Sequence, residues 1–243
     1  MKGTPEEYAK AFETFIRCTD EKKVFLGVLR EKISKDGIGS VLDIGAGNGD
    51  LAIPISKLVR RYVAIEPVSK YAARLKENGI TVIESFFPCD IRETFDLALI
   101  SHSLPWKPEK YEPFLLEAAK LLKERGEILA ITYDDGIGDW HEMLKNCDLP
   151  SKRRITGHID TLSAFIRASF SNFIRKDLIT TITSKSLDEA LSALAFVYSD
   201  GEPSHFKEFV DSTIVQRYLR ERYWTEEKGF SFPLTHIFLS IRA

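Results

Sequence analysis

The sequence is poor in cysteine, carries no excess of charge of either sign, and has no apolar run of bilayer length. Each absence removes a class of protein. Cys18, Cys89 and Cys147 are an odd number at irregular spacings. With no Cys-x-x-Cys pair and no Cys/His cluster that would close a zinc site, a reducing, cytoplasmic setting is expected and a metal is not. The 34 Lys+Arg against 36 Asp+Glu leave a formal charge of -2, which argues against a dedicated nucleic-acid binder. The opening MKGTPEEYAKAFETF is charged and lacks an apolar stretch after its first lysine, so it reads as neither signal peptide nor membrane span. There is no internal repeat and no low-complexity tract.

What is present is an ordinary globular composition: 243 residues, 44% hydrophobic and 29% charged. A chain of this length buries roughly 70–75% of its unfolded surface, so one domain over 1–243 is expected. Tyr8, Phe12, Phe15 and Ile16, then Val24, Phe25, Val28 and Leu29, recur at three and four and predict two amphipathic helices that break at Cys18-Thr19-Asp20. Beyond them strands and helices alternate. Strands are predicted at Val41–Ile44, Tyr62–Ile65, Thr81–Ile83, Phe95–Ile100 and Glu127–Tyr133, with helices over Leu51–Leu58, Ser69–Glu77 and Tyr111–Lys123. That rhythm predicts a parallel sheet covered by helices on both faces.

After Asp134 the rhythm changes. A polar stretch to Arg154 precedes a helix near Thr161–Ala168, a β-rich run Phe173–Thr183, helices at Leu187–Tyr198 and His205–Arg222, and a strand Thr235–Ile241. The expected domain then has a helical cover over 1–36, a core over 37–135, and a second half over 136–243 with a helical insertion at about 188–229 before the final strand, which returns antiparallel.

The chemistry concentrates at VLDIGAGNGD, residues 41–50. Glycines at Gly45, Gly47 and Gly49 after a strand allow a sharp turn and a close backbone approach to a ligand. A dinucleotide fingerprint needs G-x-G-x-x-G, and the position of its last glycine is held here by Asp50, a carboxylate that opposes a pyrophosphate at a helix N-terminus. A ligand with a cationic or zwitterionic end suits this loop better. Asp43 adds a second acid to the same mouth, and Glu66 ends the next strand where doubly wound sheets carry the acid that takes ribose hydroxyls. At the tip of the fifth strand, Tyr133, Asp134, Asp135, Asp139 and Trp140 combine carboxylates and aromatic rings at the end of the sheet where substrates bind, a mixture suited to a cation.

On these residues the chain resembles the class I S-adenosylmethionine-dependent methyltransferases, over about residues 37–135 and including FDLALISHSLPW as the fourth-strand motif. The resemblance implies a Rossmann-like, doubly wound, seven-stranded, mostly parallel sheet with its last strand antiparallel, and S-adenosylmethionine as cofactor. It implies that Gly45, Ala46, Gly47 and Gly49 flank the methionine end, that Asp43 supports the amino group, and that Glu66, followed by Pro67, holds the ribose. Ser85 and Phe86 fall where the family lines the adenine, and Ser101 and His102 fall where the fourth strand approaches the cofactor. His102 is the candidate catalytic base; a ring that only packs against the cofactor is the alternative.

A second resemblance spans most of the chain. YAKAFETFIRCTDEK, the motifs above, the Trp140 segment and the closing EEKGFSFPLTHIFLSIRA are similar in order and spacing to the histamine N-methyltransferase family. It implies that Asp20 grips a substrate amine and that Trp106 and Trp140 line its pocket, although Asp20 also suits a helix cap and Asp134 and Trp140 a solvated loop with one buried ring. Leu144 and Leu234 depart from that family's pattern, as does the form G-A-G-N-G, so the likeness supports a small amine and not histamine. The expected activity is methyl transfer to a small molecule, an amine nitrogen first. Two other classes stay open: a methyltransferase acting on protein or RNA, for which Lys152–Arg154 is the basic cluster, and a non-catalytic binder of the cofactor.

Overall fold

A computed structural model describes residues 5–105, 108–149, 158–170, 172–199 and 203–242. The chain divides into two compact units. A helical unit takes residues 1–21, 134–156 and 179–235, and a sheet unit takes 22–133, 157–178 and 236–243.

In the sheet unit, β1 (Ser40–Ile44), β2 (Arg61–Ile65), β3 (Thr81–Ile83), β4 (Phe95–Ser101) and β5 (Leu122–Tyr133) are parallel. With β6 (Asn172–Ser184) and β8 (Gly229–Arg242) the order is β3-β2-β1-β4-β5-β8-β6, the seven strands expected. The last of them, β8, runs antiparallel to β5. An eighth element, β7 (Trp224–Thr225), is a two-residue rung on β8 within the helical unit. The inner parallel strands are mostly apolar because both of their faces are covered, and β1 is buried at all five positions. On one face Leu42, Ile44, Val63, Ile65 and Ile100 pack with Leu115 of α5 (Tyr111–Lys120) and Leu162 of α7 (His158–Ser169). On the other, Val41, Tyr62, Ala64, Leu97 and Leu99 pack with Phe25 and Leu29 of α2 (Glu21–Asp36), Ile55 of α3 (Ala52–Ser56) and Leu75 of α4 (Ser69–Glu77).

In the helical unit, α1 (Pro5–Cys18) sets Phe12 and Phe15 against Phe196 of α8 (Leu187–Ser199), with ring centroids 5.1 and 5.2 Å apart. The segment after Asp134, which reads as polar, holds a further helix, α6 (Gly138–Asn146), that buries Trp140, Met143 and Leu144. The predicted helix over His205–Arg222 is two: α9 (Pro203–Val210) and α10 (Thr213–Tyr223). Ser212 breaks them, its Oγ accepting from Val215 N at 3.3 Å as an N-cap. Two strand starts also differ from expectation. β5 begins at Leu122, which pairs with Phe95 ahead of a register shift, and a side chain at Gly126 would meet Phe95 O at 2.9 Å. β8 begins at Gly229, since its first half pairs with β7 and tolerates Pro233. Among the described residues no helix is long and apolar enough to cross a membrane.

Candidate functional site

The loop after β1 is built around two glycines that no other residue can replace without movement. Gly45 has φ +80, and a side chain there would lie 2.5 Å from Ser103 Cβ; Ser103 in turn hydrogen-bonds Ile44 O. Gly49 has φ +87, and its side chain would lie 2.8 Å from Leu75 Cδ2. Between them the Gly47 Cα faces open space, with no atom within 4 Å of where a Cβ would stand, so a ligand can lie against the backbone there. The amides of Gly45 and Ala46 donate to Ile65 O at 2.8 and 3.2 Å, tying the loop to the end of β2.

Glu66 closes that end. It is 4% exposed, and its Oε2 accepts from Gly47 N at 2.7 Å while Oε1 accepts from Val68 N at 2.8 Å, just past Pro67. Two accepted bonds leave further lone pairs on the carboxylate for a diol. Asp43, at the end of β1, is buried, and Tyr62 Oη donates to its Oδ2 at 2.6 Å. Burial pushes the Asp43 carboxyl up to about 6, against the Tyr62 hydrogen bond and the Lys22 charge, which lower it; Glu66 raises it. Asp50 turns its carboxylate to Asn48 at 2.7 Å and Arg74 at 3.4 Å, so its charge is partly offset within the protein. Ser85 Oγ donates to Phe86 O, and the Phe86 ring is 78% exposed.

At the tip of β4 the Ser101 hydroxyl is buried and makes no hydrogen bond among the described residues. His102 follows in a left-handed conformation, φ 54, which a β-carbon disfavours and which clusters at functional sites. Its amide donates to Ile131 O at 2.9 Å, and its ring stacks on Tyr133 with centroids 4.4 Å apart. His236 is fully buried opposite Tyr133 in the β5–β8 ladder, 4.5 Å from the Tyr133 ring and 5.5 Å from that of His102. Phe25 closes the group at 5.8 Å from His102 and 4.8 Å from His236.

The sheet unit thus brings together Asp43, the glycine loop, Glu66, Ser101, His102 and Tyr133, all named from the sequence. Pro67, Ser85 and Phe86 belong to the same unit, whereas Asp20, Asp134 and Trp140 lie in the helical unit. Asp20 exchanges two hydrogen bonds with the Thr181 backbone, accepting on Oδ1 at 2.7 Å and donating its own amide at 3.2 Å. Asp134 Oδ1 accepts from Gly136 N at 2.9 Å, and Trp140, 4% exposed, stacks on Phe209 and meets Phe232 edge-on. Trp106 and the basic cluster Lys152–Arg154 fall outside the described residues. Sequence reasoning missed Tyr62, Ser103 and His236. The only signal for them was strand register, which needs the pairing to be known.

An acid beside a three-glycine turn, a second acid on the neighbouring strand tip and an unbonded serine hydroxyl fit an amino-acid end and a ribose. A Rossmann-like fold with this loop suits the class of proteins that bind a nucleoside cofactor. Residues 12–194 match the family model of a methyltransferase domain, Methyltransf_23. The chain belongs to that family and is an S-adenosylmethionine-dependent methyltransferase. No curated protein matches it by sequence. Among solved structures it is similar to the YcgJ protein from Bacillus subtilis, at 17% identity and TM-score 0.58, covering 89% of this chain and 97% of that one. It is also similar to the plantazolicin methyltransferase BpumL in complex with SAH, at 15% identity and TM-score 0.54, covering 97% and 90%.

Proposed function

We propose that this methyltransferase acts on the nitrogen of a small amine. The observation that carries the reading is the ring group His102, Tyr133, His236 and Phe25, held at the carboxyl ends of β4 and β5 directly after the unbonded Ser101. Open α/β sheets bind their reactants at that edge, and rings with an imidazole suit an amine that must lose a proton. S-adenosylmethionine, when bound, supplies an electrophilic methyl group on sulfur. Gly45, Ala46, Gly47 and Gly49 bind its methionine end beside Asp43; Glu66, with Pro67, takes the ribose hydroxyls; Ser85 and Phe86 border the adenine. Ser101 donates toward the cofactor. His102, its ring oriented by Tyr133, removes the acceptor's proton. The acceptor-side roles of Asp20 and Trp106 rest on resemblance, and those of Asp134 and Trp140 on the mixture of carboxylates and rings at the tip of the fifth strand.

Calorimetric titration with S-adenosylmethionine and S-adenosylhomocysteine, with NAD as control, tests the cofactor site. A panel of primary and secondary amines, read by release of S-adenosylhomocysteine, tests the acceptor. Turnover on an amine that falls at least tenfold in His102→Ala, with unchanged cofactor affinity, supports the reading. Turnover confined to hydroxyl, peptide or RNA acceptors overturns it.

A further inference from the structure

We propose that Tyr62 is the positioning residue of the cofactor site: its hydroxyl fixes the Asp43 carboxylate for the α-ammonium group at the methionine end of the cofactor. The inference rests on the reading of Asp43 above and reaches one residue beneath it. Register sets Asp43 of β1 opposite Ala64 of β2, so Tyr62, two residues earlier, is its diagonal neighbour on the same face. Across that diagonal the phenol donates at 2.6 Å. Packing alone does not account for the hydroxyl. Tyr62 is 6% exposed among Val41, Leu97 and Phe25, where phenylalanine would fill the same space without burying an oxygen. A buried phenol is retained at low cost when it has an acceptor, and this acceptor is the acid of the glycine turn.

The bond does two things to Asp43. It stops rotation about the terminal torsion, which is otherwise broad for an aspartate, so one carboxylate oxygen is held by Tyr62 and the other is left to face a ligand. It also favours the ionised carboxylate. Burial works the other way, and Lys22 from α2 and Glu66, the residue after β2, are the charged groups that act on Asp43, the lysine favouring its charge and the glutamate opposing it. The Tyr62 phenol is itself driven well above its ordinary value, by burial and then by the Asp43 charge, so it remains a donor throughout the working range. Without the hydroxyl the desolvation of Asp43 stays and the bond that offsets it is gone.

The experiment is calorimetric titration with S-adenosylhomocysteine between about pH 5.5 and 8.5, on the wild-type protein, Tyr62→Phe and Asp43→Asn, with unfolding midpoints recorded for each. Wild-type affinity is expected to fall as pH drops through the Asp43 value of about 6. Tyr62→Phe is expected to bind about tenfold more weakly near neutrality and to move the acid limb up by about one pH unit, as loss of one charge-assisted bond requires. Asp43→Asn is expected to bind weakly with no acid limb. Tyr62→Met repeats the deletion should the phenylalanine variant fold poorly. If Tyr62→Phe matches wild type in affinity and acid limb while Asp43→Asn loses both, the role of Tyr62 is refuted and the cofactor site stands. If Asp43→Asn binds as wild type does, the reading of Asp43 fails, and the role of Tyr62 with it.

Discussion

Glu66 carries two tasks that one substitution separates from simple loss of shape. Its carboxylate accepts from the amides of Gly47 and Val68 at 2.7 and 2.8 Å, and under the proposed function it also takes the ribose hydroxyls. Glu66→Ala strands both amides. A buried donor without an acceptor costs about 1–3 kcal/mol, but Val68 is 48% exposed and water can reach its amide, so about 2–3 kcal/mol in total is expected. At this chain length that lowers the unfolding midpoint by about 4–12 °C. Glu66→Gln keeps the shape but has one accepting oxygen; whichever way the amide turns, its NH2 group meets an N–H donor. It is therefore expected to be nearly as destabilised as the alanine variant. Loss of charge-assisted bonds to a ribose diol weakens S-adenosylhomocysteine binding by about 100- to 1000-fold in both variants. Differential scanning fluorimetry and calorimetry read the two quantities. A glutamine variant that melts within about 1 °C of wild type and binds within about threefold would refute both tasks.

Asp43 predicts a pH effect on the cofactor-free protein. Its folded value of about 6 lies above its ordinary 3.8, so the native state holds a proton that the unfolded chain has released between those values. The group therefore contributes about 2.5 kcal/mol more stability at pH 4 than at pH 7, and the last of this is lost as pH rises through 6. Urea titrations should show Asp43→Asn gaining on wild type by about that amount from low to neutral pH; a constant difference would contradict it. Gly45→Ala places a β-carbon at φ +80 and 2.5 Å from Ser103 Cβ, so a loss of about 2–4 kcal/mol in stability and at least tenfold in cofactor affinity is expected by the same assays. At the opposite end of the sheet, Glu127, whose side chain is 5% exposed, pairs with Lys32. Lys32→Met leaves that carboxylate to Ser240 and a distant Arg242, and chemical unfolding should show a loss of about 2–4 kcal/mol.

The parallel core was legible because its strands are short, mostly apolar runs, and Asp43 and Glu66, the acids proposed to hold the cofactor, sit at the strand ends that such runs define. What was not legible depends on pairing. Tyr62 reads as one more buried residue of β2 until the register with β1 brings its hydroxyl diagonally to Asp43. His236 has no sequence partner because β8 reaches it from the far end of the chain, opposite Tyr133. The α9–α10 break was hidden because apolar spacing continues through it while a single serine supplies the cap. Trp140 and Asp20 are residue types that serve ligands and folding alike. In the helical unit one meets Phe209 and Phe232 and the other the Thr181 backbone, contacts that no local pattern encodes.

The place of β8 between β5 and β6 bears on how the protein is made. On a ribosome the five parallel strands emerge first and β6 follows, but the strand that joins β6 to them is translated after more than forty further residues. Until then β5 offers an unpaired edge and β6 has no neighbour on that side, so nascent chains carry two open strand edges in a crowded setting. Sheet completion is a late, long-range closure, which predicts slow folding and a nascent chain that depends on chaperones more than its final stability suggests.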